Sequence, residues 1–104
     1  MIKIKVELKT EGRVLYAFLE GEIDHHTSKE IRDKIDSEIE NINPASLIID
    51  MSSVSFMDSS GIGIILGRYK LMNSIGGKME IKSSKKEIKR ILSLSGVERL
   101  VDIS

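Results

Sequence analysis

Asp58-Ser59-Ser60-Gly61 is the group of residues in this 104-residue chain whose types and spacing most clearly permit chemistry. Two hydroxyls stand beside a carboxylate, directly ahead of Ile62, Ile65, Leu66, Tyr69 and Met72, apolar positions that recur as one face of an α-helix. Asp58 or Ser59 is then the natural N-cap, since a short side-chain oxygen accepts a hydrogen bond from an unpaired amide of the first turn. Free amides and the helix dipole also favour an anion at this end, so a phosphate on Ser59 could be held without unfolding anything. Such a phosphate adds roughly −1.5 to −2 charges and would change what docks on the surface around it.

Gly61, Gly63 and Gly67 fall inside the same helix. Each costs roughly 1 kcal/mol relative to alanine in a helix interior, a penalty that makes sense where something must approach the backbone closely. A second apolar row, Ile64, Leu71 and Ile75, lies off the first stripe with Gly63, Gly67 and Arg68 beside it. The expectation is a helix packed on one side and bare on the other; the alternative is that both rows are buried.

Enzyme signatures fit poorly. A nucleophile elbow needs G-x-S-x-G, and neither Ser59 nor Ser60 has glycine two residues before it. Gly61-Ile62-Gly63 resembles the start of a dinucleotide fingerprint, but Gly67 comes one residue too late, and a chain of this size lacks the second half such sites use. Adjacent His25 and His26 invite a metal, yet neighbouring side chains are expected to point apart and no third ligand is placed nearby. With no cysteine there is neither disulfide nor thiol chemistry. No cofactor or metal is expected, and no catalytic residue.

The elements that position the serines can be read in order. Residues 2–9 alternate Ile2, Ile4, Val6 and Leu8 with charged neighbours, a half-buried strand. Thr10-Glu11-Gly12 turns, and Arg13 to Leu19 returns as a second strand, making a β-hairpin. Gly21 to Ser28, GEIDHHTS, forms a second polar cluster, with Asp24 and the histidines in a loop at the mouth of a site. Thr27 and Glu30 have capping-box spacing ahead of Ile31, Ile35, Ile39 and Ile42, and Pro44 closes that helix. Ser46 to Asp50, a continuous apolar run, suits a central strand covered on both faces, and its carboxyl end leads toward Ser59, where function gathers in open α/β sheets. Beyond Gly76-Gly77 come a strand over Lys78 to Lys82, a third helix opened by the Ser84 and Glu87 capping-box spacing and stopped at Gly96, and a last short strand over Leu100 to Ile103. The fold class is therefore α/β: one domain over residues 1–104, with a mixed sheet of four to five strands and three to four helices packed against it.

Composition narrows the partners. With 40% hydrophobic and 31% charged residues and one proline, the chain is an ordinary globular protein, and no run has the length of a membrane span, so a cytoplasmic protein without membrane insertion is expected. The net charge of zero conceals 7 basic against 12 acidic residues over 1–58 and 9 against 4 over 59–104. That split could steer a charged partner, or simply reflect solvated faces of unrelated elements. The basic half lacks aromatic interleaving, which argues against nucleic acid.

The stretch from Phe56 to Lys70, together with GEIDHHTS at 21–28, resembles the anti-sigma factor antagonists of the STAS domain family, and the likeness extends over the whole element order. The paired serines and the GRYK ending lean toward the sporulation branch, with the stress-response branch as the nearest alternative. The resemblance implies a partner switch in transcription regulation. The unphosphorylated antagonist docks on an anti-sigma factor that is also a serine kinase and displaces its sigma factor; ATP-dependent phosphorylation at the start of this helix releases it; a PP2C-type serine phosphatase resets it. The matching acceptor is Ser59, with Ser60 its competitor. On this basis Asp24, Asp58, Ser60, Gly61, Gly63, Ile64, Gly67 and Arg68 are expected to form the partner surface. The sequence stops at Ser104, so a longer terminal helix present in some relatives is expected to be short or missing. Outside the switch class, the alternative is a constitutive scaffold in which Asp58, Ser59 and Ser60 only cap a helix.

Overall fold

Alternating and apolar segments condense into one sheet because each has a face to bury. A computed structural model describes residues 3–83 and 85–104. The elements are β1 (Ile4–Glu11), β2 (Val14–Ile23), α1 (Ser28–Ile42), β3 (Ser46–Met57), α2 (Ser59–Ser74), β4 (Lys78–Lys82), α3 (Lys86–Ser95), a 3-10 turn (Val97–Arg99) and β5 (Asp102–Ile103). The strands lie in the order β1-β2-β3-β4-β5, with β1 antiparallel to β2 and the other pairs parallel. This is the expected α/β architecture: a mixed five-stranded sheet with three α-helices.

Register places the core. Leu15 and Met79 flank Leu47 across three strands, as Ala17 and Ile81 flank Ile49, and all six are buried. Ile31, Ile35 and Ile39 of α1, Ile64, Ile65 and Met72 of α2, and Ile88 and Leu92 of α3 complete the same cluster. The opposite face of the sheet, with Tyr16, Phe18 and Ile48, is only half-buried. The central strand is thus covered on one face, and the run SLIID owes its apolar character to Leu47 and Ile49 inside and Ile48 at a partly shielded outer face.

Several local expectations change. β2 runs four residues beyond Leu19 and β3 seven beyond Asp50, because register shifts between Phe18 and Glu20 and between Gly21 and Glu22 let the strands continue where simple alternation stops. Gly21 therefore belongs to a strand; its φ of 115° and a would-be Cβ only 2.1 Å from the Lys3 carbonyl oxygen exclude any other residue there without rearrangement. Thr27 occupies the N-cap position of α1 but makes no capping hydrogen bond, since its hydroxyl faces back to β2, accepting from the Asp24 amide at 3.0 Å and donating to the Glu22 carbonyl at 2.9 Å. The Ser84 capping box lies outside the described residues, and the N-cap position of α3 is Lys85. The last strand is confined to Asp102–Ile103.

Candidate functional site

Parallel connections bring the N-termini of the helices to the carboxyl ends of the strands, and β2 and β3 end side by side there, with Ile23 opposite Met57. The Asp58 amide donates to the Ile23 carbonyl at 3.1 Å, fixing the start of α2 to the end of β2. Asp58 is extended, with φ −104° and ψ −167°, and its Oδ1 accepts from the Ser60 amide at 2.8 Å. Of the two candidates, Asp58 is the N-cap, and Ser59 is the first helical residue.

Ser59 is exposed, and its hydroxyl has no side-chain hydrogen bond among the described residues, whereas Ser60 and Asp58 are half-buried. Gly63 is exposed and Gly67 half-exposed, one and two turns along the same face, and at both positions the space a Cβ would take is clear of other atoms to 4 Å. Ser59, Gly63 and Gly67 therefore form an open strip of bare backbone. Gly61 serves the opposite purpose: it is buried, and a Cβ there would sit 2.3 Å from Met57 Sδ, so it lets the first turn close on the end of β3.

The expected exposed row is corrected at two residues. Ile64 is fully buried and Arg68 is 7% exposed, because α2 packs on α1 as well as on the sheet and its buried arc covers Gly61, Ile64, Ile65, Arg68 and Met72. Ile62, Leu66 and Tyr69, assigned by spacing to the apolar face of the helix, lie at the margin of the buried arc. Arg68 Nε approaches Asp36 Oδ1 of α1 at 2.7 Å, but its N–H is not aimed at that oxygen, so the contact is ionic without a hydrogen bond. Burial pushes the Asp36 carboxyl above its ordinary range, against the pull of Arg68, and lowers the Arg68 guanidinium. Arg68 ties two helices together inside the molecule.

Asp24 lies directly after Ile23 and beside the α2 terminus, in the loop expected to face the acceptor. Its Oδ2 accepts from Lys3 Nζ at 2.7 Å and its Oδ1 from the His26 and Thr27 amides at 2.8 and 3.0 Å. The Lys3 ammonium, with those amides, holds its carboxyl down at about 2. The carboxylate thus organises its own loop. The histidine rings do not diverge: their centroids are 5.1 Å apart, edge to face, and among the described residues no three His, Cys, Asp or Glu side chains gather as a metal site.

Phe56 is missing from the expected surface, yet it is half-exposed at the end of β3, three residues before Ser59. In a chain with only two phenylalanines and two tyrosines, an aromatic left in solvent close to Ser59 was the available signal.

Comparisons with known proteins give the family and the fold. The STAS domain family matches residues 5–104. The anti-sigma F factor antagonist of Paenibacillus polymyxa is 36% identical, over 98% of this chain and 87% of its own length. The anti-sigma-B factor antagonist of Bacillus subtilis is 28% identical, over 99% of this chain and 93% of its own. The solved anti-sigma factor antagonist SpoIIAA in its unphosphorylated form superimposes with a TM-score of 0.83 at 28% identity, covering 96% of this chain and 88% of that one. The phosphorylated form of SpoIIAA, described as a Bacillus cell fate determinant, gives 0.75 at 28% identity, covering 96% and 91%. No helix among the described residues is long and apolar enough to cross a membrane. The chain belongs to the STAS domain family, among whose members it is similar to the anti-sigma factor antagonists.

Proposed function

We propose that this chain is a phosphorylation-switched antagonist of an anti-sigma factor, working as a single STAS domain in the cytoplasm. Unphosphorylated, it docks on an anti-sigma factor with serine kinase activity and frees the sigma factor; phosphorylated on Ser59, it lets go, and a PP2C-type serine phosphatase restores it. The observation that carries this reading is the free, exposed Ser59 hydroxyl at the first position of α2, continuous with the bare strip of Gly63 and Gly67. The solved relative in phosphorylated and unphosphorylated forms supports it.

The chain's part in phosphoryl transfer is to present a nucleophile. The kinase moves the γ-phosphoryl group of ATP onto Ser59 Oγ, ADP leaves, and the hydroxyl proton passes to a kinase base. Asp58 keeps the turn rigid through Ser60, so the hydroxyl is offered on a fixed backbone. Once attached, the phosphate stays near the first-turn amides, and the fold need not change. Its charge then lies in the docking strip, where an unpaired charge pressed into an interface costs several kcal/mol, enough to weaken binding about 100-fold or more. The surface comprises Ser59, Ser60, Gly63 and Gly67, with Phe56 and the Asp24 loop at its border.

The sporulation type is favoured by the 36% identity to an anti-sigma F factor antagonist; the stress-response type is the second reading, carried by the anti-sigma-B relative. The test is intact mass and phosphosite mapping of the wild-type chain and Ser59→Ala after incubation with ATP and the cognate anti-sigma kinase. One phosphate on Ser59, absent from the variant, is expected. Modification of Ser60 instead would move the site, and no phosphate with an active kinase would leave a constitutive binding scaffold.

A further inference from the structure

β1 is the long free edge of the sheet. It runs for eight residues at the outside of the strand order, and among the described residues no strand pairs with its outer side. The Lys3 carbonyl accepts from the Glu22 amide at 2.7 Å, and the register continues through Lys5 opposite Glu20, Glu7 opposite Phe18 and Lys9 opposite Tyr16. Bonded pairs alternate along an antiparallel ladder, so the odd-numbered residues of β1 turn their backbone groups toward β2. Ile4, Val6, Leu8 and Thr10 therefore turn their N–H and C=O groups outward, toward whatever lies beyond the edge.

Such an edge is a template for another strand, and proteins commonly blunt it with proline, a bulge or repelling charge. β1 has no proline and its register against β2 has no shift. Its solvent-face charges alternate in sign: Lys5, Glu7, Lys9, Glu11. That pattern is complementary to itself when reversed. With Leu8 opposite the partner's Leu8, Lys5 meets the partner's Glu11 and Glu7 meets the partner's Lys9, and every charged cross-strand pair from residue 5 to residue 11 is of opposite sign. The same register sets outward-facing residues against outward-facing residues, Leu8 on Leu8 and Val6 on Thr10, as the hydrogen-bonded pairs of a ladder require. Sliding the copies so that Glu7 faces Glu7, or Lys9 faces Lys9, brings like charges together instead. On the helix side, half-buried Leu8 lines a groove with Asp33, Lys34, Ser37 and Glu38 of α1, where the partner's Leu8 would fit.

We propose that β1 is a self-association edge, through which two copies of this chain pair antiparallel about a twofold axis at Leu8 to make one continuous ten-stranded sheet. The occupant is a second copy because the charge order of β1 selects its own reverse. The interface is independent of Ser59 phosphorylation and stands or falls apart from it.

Sedimentation equilibrium of the full chain tests this. The wild-type mass should rise with concentration from 11.6 kDa toward twice that value. Glu7→Lys and Lys9→Glu each place two like-charge pairs in the interface, one on either side of the axis, and each alone should weaken association by about tenfold or more. An equimolar mixture of the two variants should restore it, because the mixed dimer again sets lysine against glutamate at both pairs, a result that misfolding of either variant would not produce. The chain has no cysteine, so Leu8→Cys provides a single thiol at the axis that should oxidise to a covalent dimer faster than Glu20→Cys. A wild-type chain of single mass at millimolar concentration would overturn the proposal. So would association that ignores both charge reversals, or an edge that binds an extended peptide of another protein while the chain itself remains single.

Discussion

Asp24 and Asp58 occupy equivalent places, each following the last residue of a parallel strand, with Ile23 and Met57 in register, yet the turns they open differ in what they leave free. After Asp24 both the carboxylate and the next hydroxyl, that of Thr27, are used. Its carboxylate holds Lys3 and two amides, and the hydroxyl of Thr27, a residue only 6% exposed, bridges the Glu22 carbonyl and the Asp24 amide. After Asp58 one hydrogen bond to Ser60 suffices to start α2, and the next hydroxyl, Ser59, faces solvent. The same strand-to-helix turn thus appears once as a closed structural joint and once as an open, chemically available one. A longer loop gives the first turn room to satisfy itself, while the direct entry into α2 leaves a serine at the first helical position.

The contrast can be broken most forcefully behind the open turn. Ile64→Ala is expected to lower stability by about 3 kcal/mol through a cavity between α1, α2 and the sheet, whereas Gly63→Ala should cost nothing and gain up to about 1 kcal/mol of helix propensity, both read by urea denaturation. If Gly63→Ala also weakens partner binding, the strip is a contact surface. Next in size, Thr27→Val should cost about 2 kcal/mol because a part-buried carbonyl and amide lose their partner, while Ser59→Ala should leave the stability within about 0.5 kcal/mol of wild type. Equal losses at the two sites would erase the distinction between a closed and an open turn. Asp58→Ala should remove about 1 kcal/mol by deleting the cap of α2.

The smallest effect is the pH dependence of Asp24. Its folded carboxyl is depressed to about 2 from an ordinary 3.8, so its contribution is present above the ordinary value and is lost as pH falls through the window between about 4 and 2. Thermal midpoints measured across that window should fall less steeply in Asp24→Asn than in the wild-type chain, and identical slopes would show that the carboxylate does not hold its loop.

Much of this was legible in the residues. Alternation in β1, the apolar segments of the core strands and helices, and Asp58-Ser59 ahead of α2 each state a local preference that the fold keeps. What was not legible came from contacts distant in sequence. Arg68 reads as surface until Asp36, thirty-two positions away on α1, meets it; Ile64 reads as a second row until α1 covers it. Thr27 has the spacing of a capping box, but the Asp24 amide and the Glu22 carbonyl hold its hydroxyl. The far ends of β2 and β3 were hidden by register shifts that break the period of two, and with them the exposure of Phe56.

The central claim is that the open turn is a switch. Its most direct test is titration of the cognate anti-sigma factor with the unphosphorylated chain and with the same chain carrying one phosphate on Ser59, both confirmed folded by circular dichroism. The account predicts tight binding by the first and a loss of about 100-fold or more in the second. Equal affinity for the two forms would contradict it and leave Asp58, Ser59 and Ser60 as the plain start of a helix.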